Sequence, residues 1–185
     1  QVKLDQIPQA QSSLISFNPK TGEVLSYVGG SVFNDSQFDR VRQSYPQSGS
    51  VFKPFIYASA FSGGYNPSSL INDAPIIFED ENLETFWRPE NYSGKFYGLT
   101  TLREALVQSI NIVSIKLLRE IGVKKSSETV DNFGFGLDRL PQDLSLALGS
   151  GNFSPAEVAR GFSVFANNGM ISVSYTHLRA HETNS

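Results

Sequence analysis

The chain has 185 residues, of which 39% are hydrophobic and 18% are charged, and it carries a net charge of −3 and no cysteine. That length suits one domain with a packed core, and the composition is unlike that of disordered or membrane-embedded chains. Without a basic stripe, nucleic acid is not an expected partner, and without cysteine there are no disulfides, thiol nucleophiles or zinc–thiolate sites.

The first predicted element is a β-hairpin over residues 12–30. Residues 18–22 (NPKTG) mark its turn, because proline presets one backbone angle and glycine tolerates a positive one. The second strand is predicted from Glu23 to Val28. The polar residues 1–11 before the hairpin indicate a lead-in from an upstream domain.

The second predicted element is a buried helix from Ser50 to Phe61, because its apolar residues fall all round a helical wheel. Pro54 is tolerated only near a helix start, so the helix should begin near Ser50. Residues 65–98 follow as a long connection rich in proline, asparagine, aspartate and aromatic residues. A connection of that length inside a compact domain is usually functional.

The rest of the chain is predicted to be mainly helical. Its elements are a helix opened by a capping box at 101–104 and ending near residue 108, a helical run over 112–121, a short helix over 126–133, a helix over 154–166 opened by a second capping box, and the start of a strand at 170–171. Two strands, a helical block and the start of another strand predict a mixed α/β fold.

The four residues from Ser50 to Lys53 could carry nucleophilic chemistry. Residues three apart share one helix face, so the Ser50 hydroxyl would lie beside the Lys53 amine. A serine hydroxyl needs a neighbouring base, and a lysine whose pKa is lowered by burial can act as one. A chain of this composition contains about one Ser-x-x-Lys by chance, so the spacing alone does not decide between a catalytic pair and a helix cap beside a solvated lysine.

A Ser-x-Asn sequence would be the second element of such a site, and it occurs at 16–18, 109–111 and 150–152. The sequence at 109–111 lies between two apolar helical runs, where burying unpaired polar side chains costs roughly 1–3 kcal/mol each. Two interpretations stay open. Either Asn111 caps the following helix, or Ser109 and Asn111 both point into a site.

Two further motifs are rejected as site elements. The Lys-Thr-Gly sequence at 20–22 lies in the hairpin turn, so Lys20 is interpreted as a solvated turn residue. Both histidines, His177 and His181, lie in the final segment 173–185 (VSYTHLRAHETNS), which breaks the preceding pattern and is predicted to be a non-native tail. No metal site is therefore expected from their spacing, and no histidine remains for a Ser-His-Asp triad.

Several stretches stand in a fixed order along the chain: residues 17–25 (FNPKTGEVL) and 28–30 (VGG), 38–43 (FDRVRQ), 47–55 (QSGSVFKPF), 101–111 (TLREALVQSIN), 146–150 (LALGS) and 164–169 (VFANNG). Together they resemble the transpeptidase domain of class A penicillin-binding proteins. Agreement among several segments is far more specific than any single motif. The resemblance implies a β-lactamase/transpeptidase-like fold, with an antiparallel sheet flanked by a helical subdomain and incomplete at its C-terminal end.

The resemblance also implies a function, peptidoglycan D,D-transpeptidation through a serine acyl-enzyme, with no cofactor and no metal. Ser50 would attack the D-alanyl-D-alanine bond of a stem peptide, or be acylated by a β-lactam, and Lys53 would take its proton. Ser109 would relay a proton toward the leaving group, and Asn111 would bind the substrate amide and orient Lys53. The Ser50 backbone N–H would form half of an oxyanion hole.

Three alternatives remain at this point. One is a D,D-carboxypeptidase or β-lactamase-type hydrolase, which would pass the acyl group to water instead of an amine. Another is a penicillin-sensing receptor domain, which would use acylation as a signal. The third is an inactive structural homologue, in which Ser50 would have no role.

The resemblance sets expectations about the parent protein. The family's Lys-Thr/Ser-Gly strand is expected after Asn168, where this chain ends first, so residues 12–172 are predicted to be a partial transpeptidase domain with little or no activity of its own. The parent is expected to carry an upstream glycosyltransferase domain. It is expected to be anchored at the periplasmic face of the bacterial inner membrane.

Overall fold

The computed structural model describes residues 10–31, 37–79 and 86–172. The chain divides into two compact units, a flanking unit of Gln1–Pro46 with Phe153–Ser185 and a central unit of Gln47–Asn152. The strands are β1 Leu14–Phe17, β2 Val24–Val28, β3 Leu70–Asp73, β4 Phe78–Glu79, β5 Phe86–Trp87 and β6 Gly98–Thr101. The α-helices are α1 Lys53–Ser62, α2 Leu102–Val107, α3 Asn111–Ile121, α4 Val123–Asp131 and α5 Pro155–Ala166.

The described strands form three two-stranded antiparallel sheets, which pair β1 with β2, β3 with β6, and β4 with β5. With the helices, they confirm the mixed α/β fold class. No helix in the described ranges is both long enough and apolar enough to cross a lipid bilayer.

The flanking unit contains the predicted hairpin and the last helix. The turn between β1 and β2 is closed by the Lys20 N–H, which donates to Asn18 Oδ1 at 3.0 Å, and by Gly22 at φ +75°. The second predicted capping box is also confirmed: Ser154 and Glu157 exchange their side-chain and backbone hydrogen bonds at the start of α5. Pro155 lies in the first turn of α5. The backbone N–H groups of a first turn have no partner within the helix, so proline costs no hydrogen bond there.

The central unit is built around α1 and α3. Its core contains side chains from both helices, from β3, from α2 and from the turn before α3: Tyr57, Ala60, Ile71, Leu102, Ala105, Ile110, Val113 and Leu117. Four phenylalanines form a second cluster with ring centroids 4.8–5.3 Å apart: Phe52, Phe55, Phe133 and Phe135. Burial of large aromatic side chains holds the start of α1 firmly in place.

Several element boundaries differ from the sequence prediction. The first helix begins as a 3₁₀ turn over Gly49–Phe52, because the Lys53 N–H donates to the Ser50 carbonyl and α-helix follows only from Lys53. The connection over 65–98 contains β3 and the start of β6, which pair across distant positions. Residues 170–172 form no regular element, contrary to the predicted strand, and the tail from residue 173 lies outside the described residues.

Candidate active site

Ser50 is presented by a short backbone pairing inside the central unit. The Gly49 N–H donates to the Gly149 carbonyl at 2.9 Å, and the Ser48 N–H donates to the Gly151 carbonyl at 3.0 Å. The Ser48 hydroxyl donates to the same Gly151 carbonyl at 2.9 Å. This pairing fixes the backbone immediately before Ser50, whose side chain is exposed on the 3₁₀ turn.

Lys53, the first residue of α1, is 1% exposed. Its ammonium donates to the Ser109 carbonyl at 2.6 Å, to Ser109 Oγ at 3.0 Å and to Asn111 Oδ1 at 2.7 Å. The three hydrogens of the ammonium are thereby directed at Ser109 and Asn111. The structure brings these three sequence-predicted residues into direct contact, with Ser50 one turn before Lys53.

The burial of Lys53 changes its chemistry. Removal from water disfavours the charged form of an amine, and this lowers the pKa of Lys53 from 10.5 to about 8. An amine with a pKa near neutrality exists partly in its neutral form at physiological pH. Lys53 can therefore exchange a proton, which an ordinary solvated lysine seldom does.

Ser109 occupies the tight turn between α2 and α3 with φ +54°, a left-handed conformation that non-glycine residues seldom adopt. The turn is held by the Ser109 N–H on the Leu106 carbonyl at 3.1 Å and the Ile110 N–H on the Ala105 carbonyl at 2.8 Å. In this conformation the carbonyl and the hydroxyl of Ser109 both face Lys53. Unusual backbone conformations held by their surroundings concentrate at functional sites.

Asn111 is the first residue of α3, and its side chain does not cap that helix. The N-cap is Ile110, which has no side-chain hydrogen bond. Asn111 Oδ1 accepts from Lys53, and its Nδ2 donates to the Glu90 carbonyl at 3.0 Å. The capping interpretation is therefore wrong, because the Asn111 amide is turned back toward Lys53.

Sequence analysis did not single out two polar residues that stand behind the site. Asn91 accepts hydrogen bonds from the N–H groups of Asn111 and Ile112, and Asp73 accepts from the Asn91 amide. Both lie in the connection over 65–98, which the sequence analysis described only by its composition. No local pattern marks them, since their partners lie 18 to 21 residues away.

The rejected Lys-Thr-Gly motif belongs to the flanking unit. Lys20 is exposed on the hairpin turn of the flanking unit, as interpreted from the sequence. Among the described residues, no group of three or more histidine, cysteine, aspartate or glutamate side chains could hold a metal ion. The histidine pair of the tail lies outside the described residues.

Comparison with known proteins agrees with the resemblance seen in the sequence. The family model for the penicillin binding protein transpeptidase domain matches residues 13–177. Penicillin-binding protein 1A of Pseudomonas aeruginosa is 49% identical over 164 residues, which cover 89% of this chain and 20% of that protein. Penicillin-binding protein 1A of Vibrio cholerae is 46% identical over 167 residues, covering 90% of this chain and 20% of that protein.

A solved structure gives the same result in three dimensions. The crystal structure of penicillin-binding protein 1A from Haemophilus influenzae matches with a TM-score of 0.85 at 39% identity, over 88% of this chain and 24% of that one. The chain therefore belongs to the penicillin-binding protein transpeptidase domain family. It spans about a fifth of the length of the curated relatives it matches.

Proposed function

We propose that this chain carries the acyl-transfer site of a serine-type peptidoglycan D,D-transpeptidase, which cross-links stem peptides and is acylated by penicillin. One observation carries the proposal: a buried lysine with a lowered pKa, held by Ser109 and Asn111, lies one turn after an exposed serine in a transpeptidase-family chain. Acyl transfer to an amine agrees with the transpeptidase description of the matched family, so the hydrolase and receptor alternatives are not favoured.

In the proposed first step, Ser50 Oγ attacks the carbonyl carbon of the penultimate D-alanine of a stem peptide. The bond from that carbon to the nitrogen of the terminal D-alanine breaks, and an ester to Ser50 forms. The Ser50 proton passes to neutral Lys53, and the departing amine gains a proton. In the second step, an amine of another stem peptide attacks the ester and forms the cross-link, while Ser50 recovers its proton.

The contacts of Lys53 support Ser109 as the route by which a proton moves from Lys53 to the departing amine. The Ser109 carbonyl and Asn111 Oδ1 can only accept, so they need hydrogens on the Lys53 nitrogen. The Ser109 hydroxyl, 3.0 Å away, can accept or donate. When Lys53 holds the proton taken from Ser50, two of its hydrogens stay on the two fixed acceptors and the third faces this hydroxyl, which can pass a proton on to the departing amine.

Asn111 has two roles in the proposal. Its Oδ1 orients Lys53, and its Nδ2, which donates one hydrogen to the Glu90 carbonyl, has a second hydrogen for the amide carbonyl of a substrate. A β-lactam would enter the same site. In that case, the ring C–N bond breaks instead, and the ring nitrogen takes the proton.

We further propose the setting in which this site works. The substrate partners are D-alanyl-D-alanine stem peptides, with β-lactams as inhibitors, and residues 12–172 form part of the transpeptidase domain. The parent protein would stand at the periplasmic face of the bacterial inner membrane with an upstream glycosyltransferase domain. The names of the relatives support this setting, since penicillin-binding protein 1A recurs among them.

Labelling with fluorescent penicillin tests the nucleophile. In the complete protein, Ser50→Ala is expected to abolish covalent labelling, because the ester oxygen is gone. Ser62→Ala is the matched control: it removes a hydroxyl from the other end of α1, where Ser62 Oγ donates to the Ala58 carbonyl at 3.1 Å, and should label normally. Full labelling of the Ser50 variant would show that the nucleophile lies elsewhere.

A further inference from the structure

A buried polar pair lies behind the site just described. Asp73, at the end of β3, is 1% exposed, and Asn91, in the loop after β5, is 6% exposed. Asn91 Nδ2 donates to both carboxylate oxygens of Asp73 at 2.9 Å and to the Lys95 carbonyl at 2.8 Å. Asp73 also accepts the Tyr97 N–H at 2.9 Å. Buried carboxylates and amides with this many partners are rigidly held.

The other end of the Asn91 amide holds the start of α3. Asn91 Oδ1 accepts from the Asn111 N–H at 3.0 Å and from the Ile112 N–H at 3.1 Å. A capping side chain normally accepts a hydrogen bond from the first backbone N–H groups of a helix, but the N-cap Ile110 has no side-chain acceptor. Asn91, which lies in a distant loop, provides that acceptor instead. The Asp73 carboxylate can only accept, which fixes the Asn91 amide with its oxygen toward α3.

This arrangement reaches Lys53 through a single residue. Asn91 holds the backbone of Asn111, and the neighbouring Glu90 carbonyl accepts from the Asn111 side chain. Oδ1 of the same Asn111 side chain accepts from the Lys53 ammonium. Lys116, also on α3, donates to the Asn72 and Ala74 carbonyls at 2.8 and 3.0 Å. These hydrogen bonds connect the residues on either side of Asp73 to the same helix.

We propose that Asp73 and Asn91 are positioning residues of the acylation reaction, which act through Asn111 to hold Lys53 in its proton-transfer position. The inference rests on the proposed function, since it assigns these residues to that reaction. The hydrogen bonds of these two side chains go to each other, to Lys95 and Tyr97, and to the start of α3, and not to Ser50 or Lys53. Their effect should therefore appear in the rate of acylation and depend on the presence of the Asn111 side chain.

The first test is Asn91→Ala in the complete protein, with fluorescent penicillin as the probe. The number of labelled molecules counts folded protein, whereas the acylation rate constant at saturating penicillin reports the chemistry of those molecules. The rate constant is expected to fall roughly 10- to 100-fold, as displacement of a catalytic group by about 1 Å does. Val130→Ala is the control, since it opens a cavity at a fully buried position of α4 and should lower thermal stability with the rate constant unchanged.

The second test asks whether Asn91 acts through Asn111. In an Asn111→Ala background, adding Asn91→Ala should slow acylation by less than about twofold, because coupled residues are not additive. Should Asn91→Ala fold poorly, Asn91→Asp alone and combined with Asp73→Asn provides the same information. The single change sets two carboxylates against each other. The exchanged pair restores the hydrogen bond between the two side chains and should recover part of the rate, because the new carboxylate still faces the Lys95 carbonyl.

Each result decides the question. A full second loss of rate in the Asn111→Ala background, or an unchanged rate constant in a destabilised Asn91→Ala protein, would overturn the inference and leave the pair a purely structural role. An exchanged pair that acylates no faster than Asn91→Asp alone would also overturn it. Unmodified protein that takes up no penicillin would overturn the proposed function itself, and this inference with it.

Discussion

Lys53 combines near-complete burial with an ionisable amine, and this combination makes its chemistry dependent on pH. The pKa of Lys53 is lowered to about 8 because burial disfavours its charge. In the proposed mechanism the neutral amine is the active form. Its population grows as pH rises toward the pKa and saturates above it.

The pH profile of acylation follows from this. The acylation rate by penicillin is expected to rise about tenfold per pH unit below pH 8 and to level off above it. Stopped-flow labelling between pH 6 and 10 measures it. Lys53→Arg keeps the positive charge but cannot lose its proton, so it should acylate slowly with no such rise. A rate that falls as pH passes upward through 8 would show that the charged ammonium is the active form.

At Ser109, the effect of the backbone conformation on stability can be measured separately from the effect of the hydroxyl on acylation. Ser109→Gly and Ser109→Ala both remove the hydroxyl and should slow acylation alike. Because φ at this position is +54°, glycine is expected to be about 1 kcal/mol more stable than alanine, after part of the left-handed penalty is offset by glycine's freer unfolded state. Denaturant unfolding compares them. At Ser62, the last residue of α1, the order should reverse. Alanine more stable at both positions would contradict the assigned turn.

At the scale of elements, the segment before Ser50 depends on a close approach of two glycines. A Cβ on Gly149 would lie 2.0 Å from the Gly49 carbonyl oxygen, and Gly149 also has φ +70°. The two backbones therefore meet at a distance that no other residue permits. This contact fixes the turn that presents Ser50.

Gly149→Ala is expected to destabilise the protein by about 2–4 kcal/mol and to slow acylation, because overpacking and left-handed strain add at one position. Gly169→Ala is the matched control: φ is +85°, but nothing lies within 4 Å of the added Cβ. It should cost only about 1–2 kcal/mol and leave acylation unchanged. Thermal unfolding and penicillin labelling give both quantities. Equal effects of the two substitutions would contradict the account of this contact.

The sequence predicted the local elements better than the distant ones. The hairpin turn, the end of the helical run at residue 121 and the capping box at Ser154 depend on neighbours a few residues apart, and all three are present. The pairing of β3 with β6 joins residues about 30 positions apart inside a segment that reads as a loop. Pairing of that kind is decided by tertiary packing, which local patterns do not carry.

The same distinction applies to the candidate site. The candidate residues were predicted from two local features, the spacing of Ser50 and Lys53 and the apolar context of residues 109–111. The sequence could not show that the Asn111 amide turns back to Lys53, because that depends on α2 and α3 meeting at the Ser109 turn. Asp73 and Asn91 were missed for a related reason: each is an ordinary loop or strand-end polar residue until the fold buries it.

At the scale of the whole molecule, the described contacts of the proposed site lie within the central unit of Gln47–Asn152. The chain spans about a fifth of the length of its curated relatives. Acylation by penicillin tests only the first step of the proposed reaction and needs no second stem peptide. It therefore tests the central claim with the least dependence on the rest of the protein.

The most direct measurement is mass spectrometry of the complete protein after incubation with penicillin, followed by peptide mapping. Opening of the β-lactam ring expels no fragment, so the account predicts a mass increase equal to one whole penicillin molecule, located on the peptide that contains Ser50 and absent from Ser50→Ala. An adduct on any other residue, or none on correctly folded protein, would contradict the assignment of Ser50 as the acylated nucleophile.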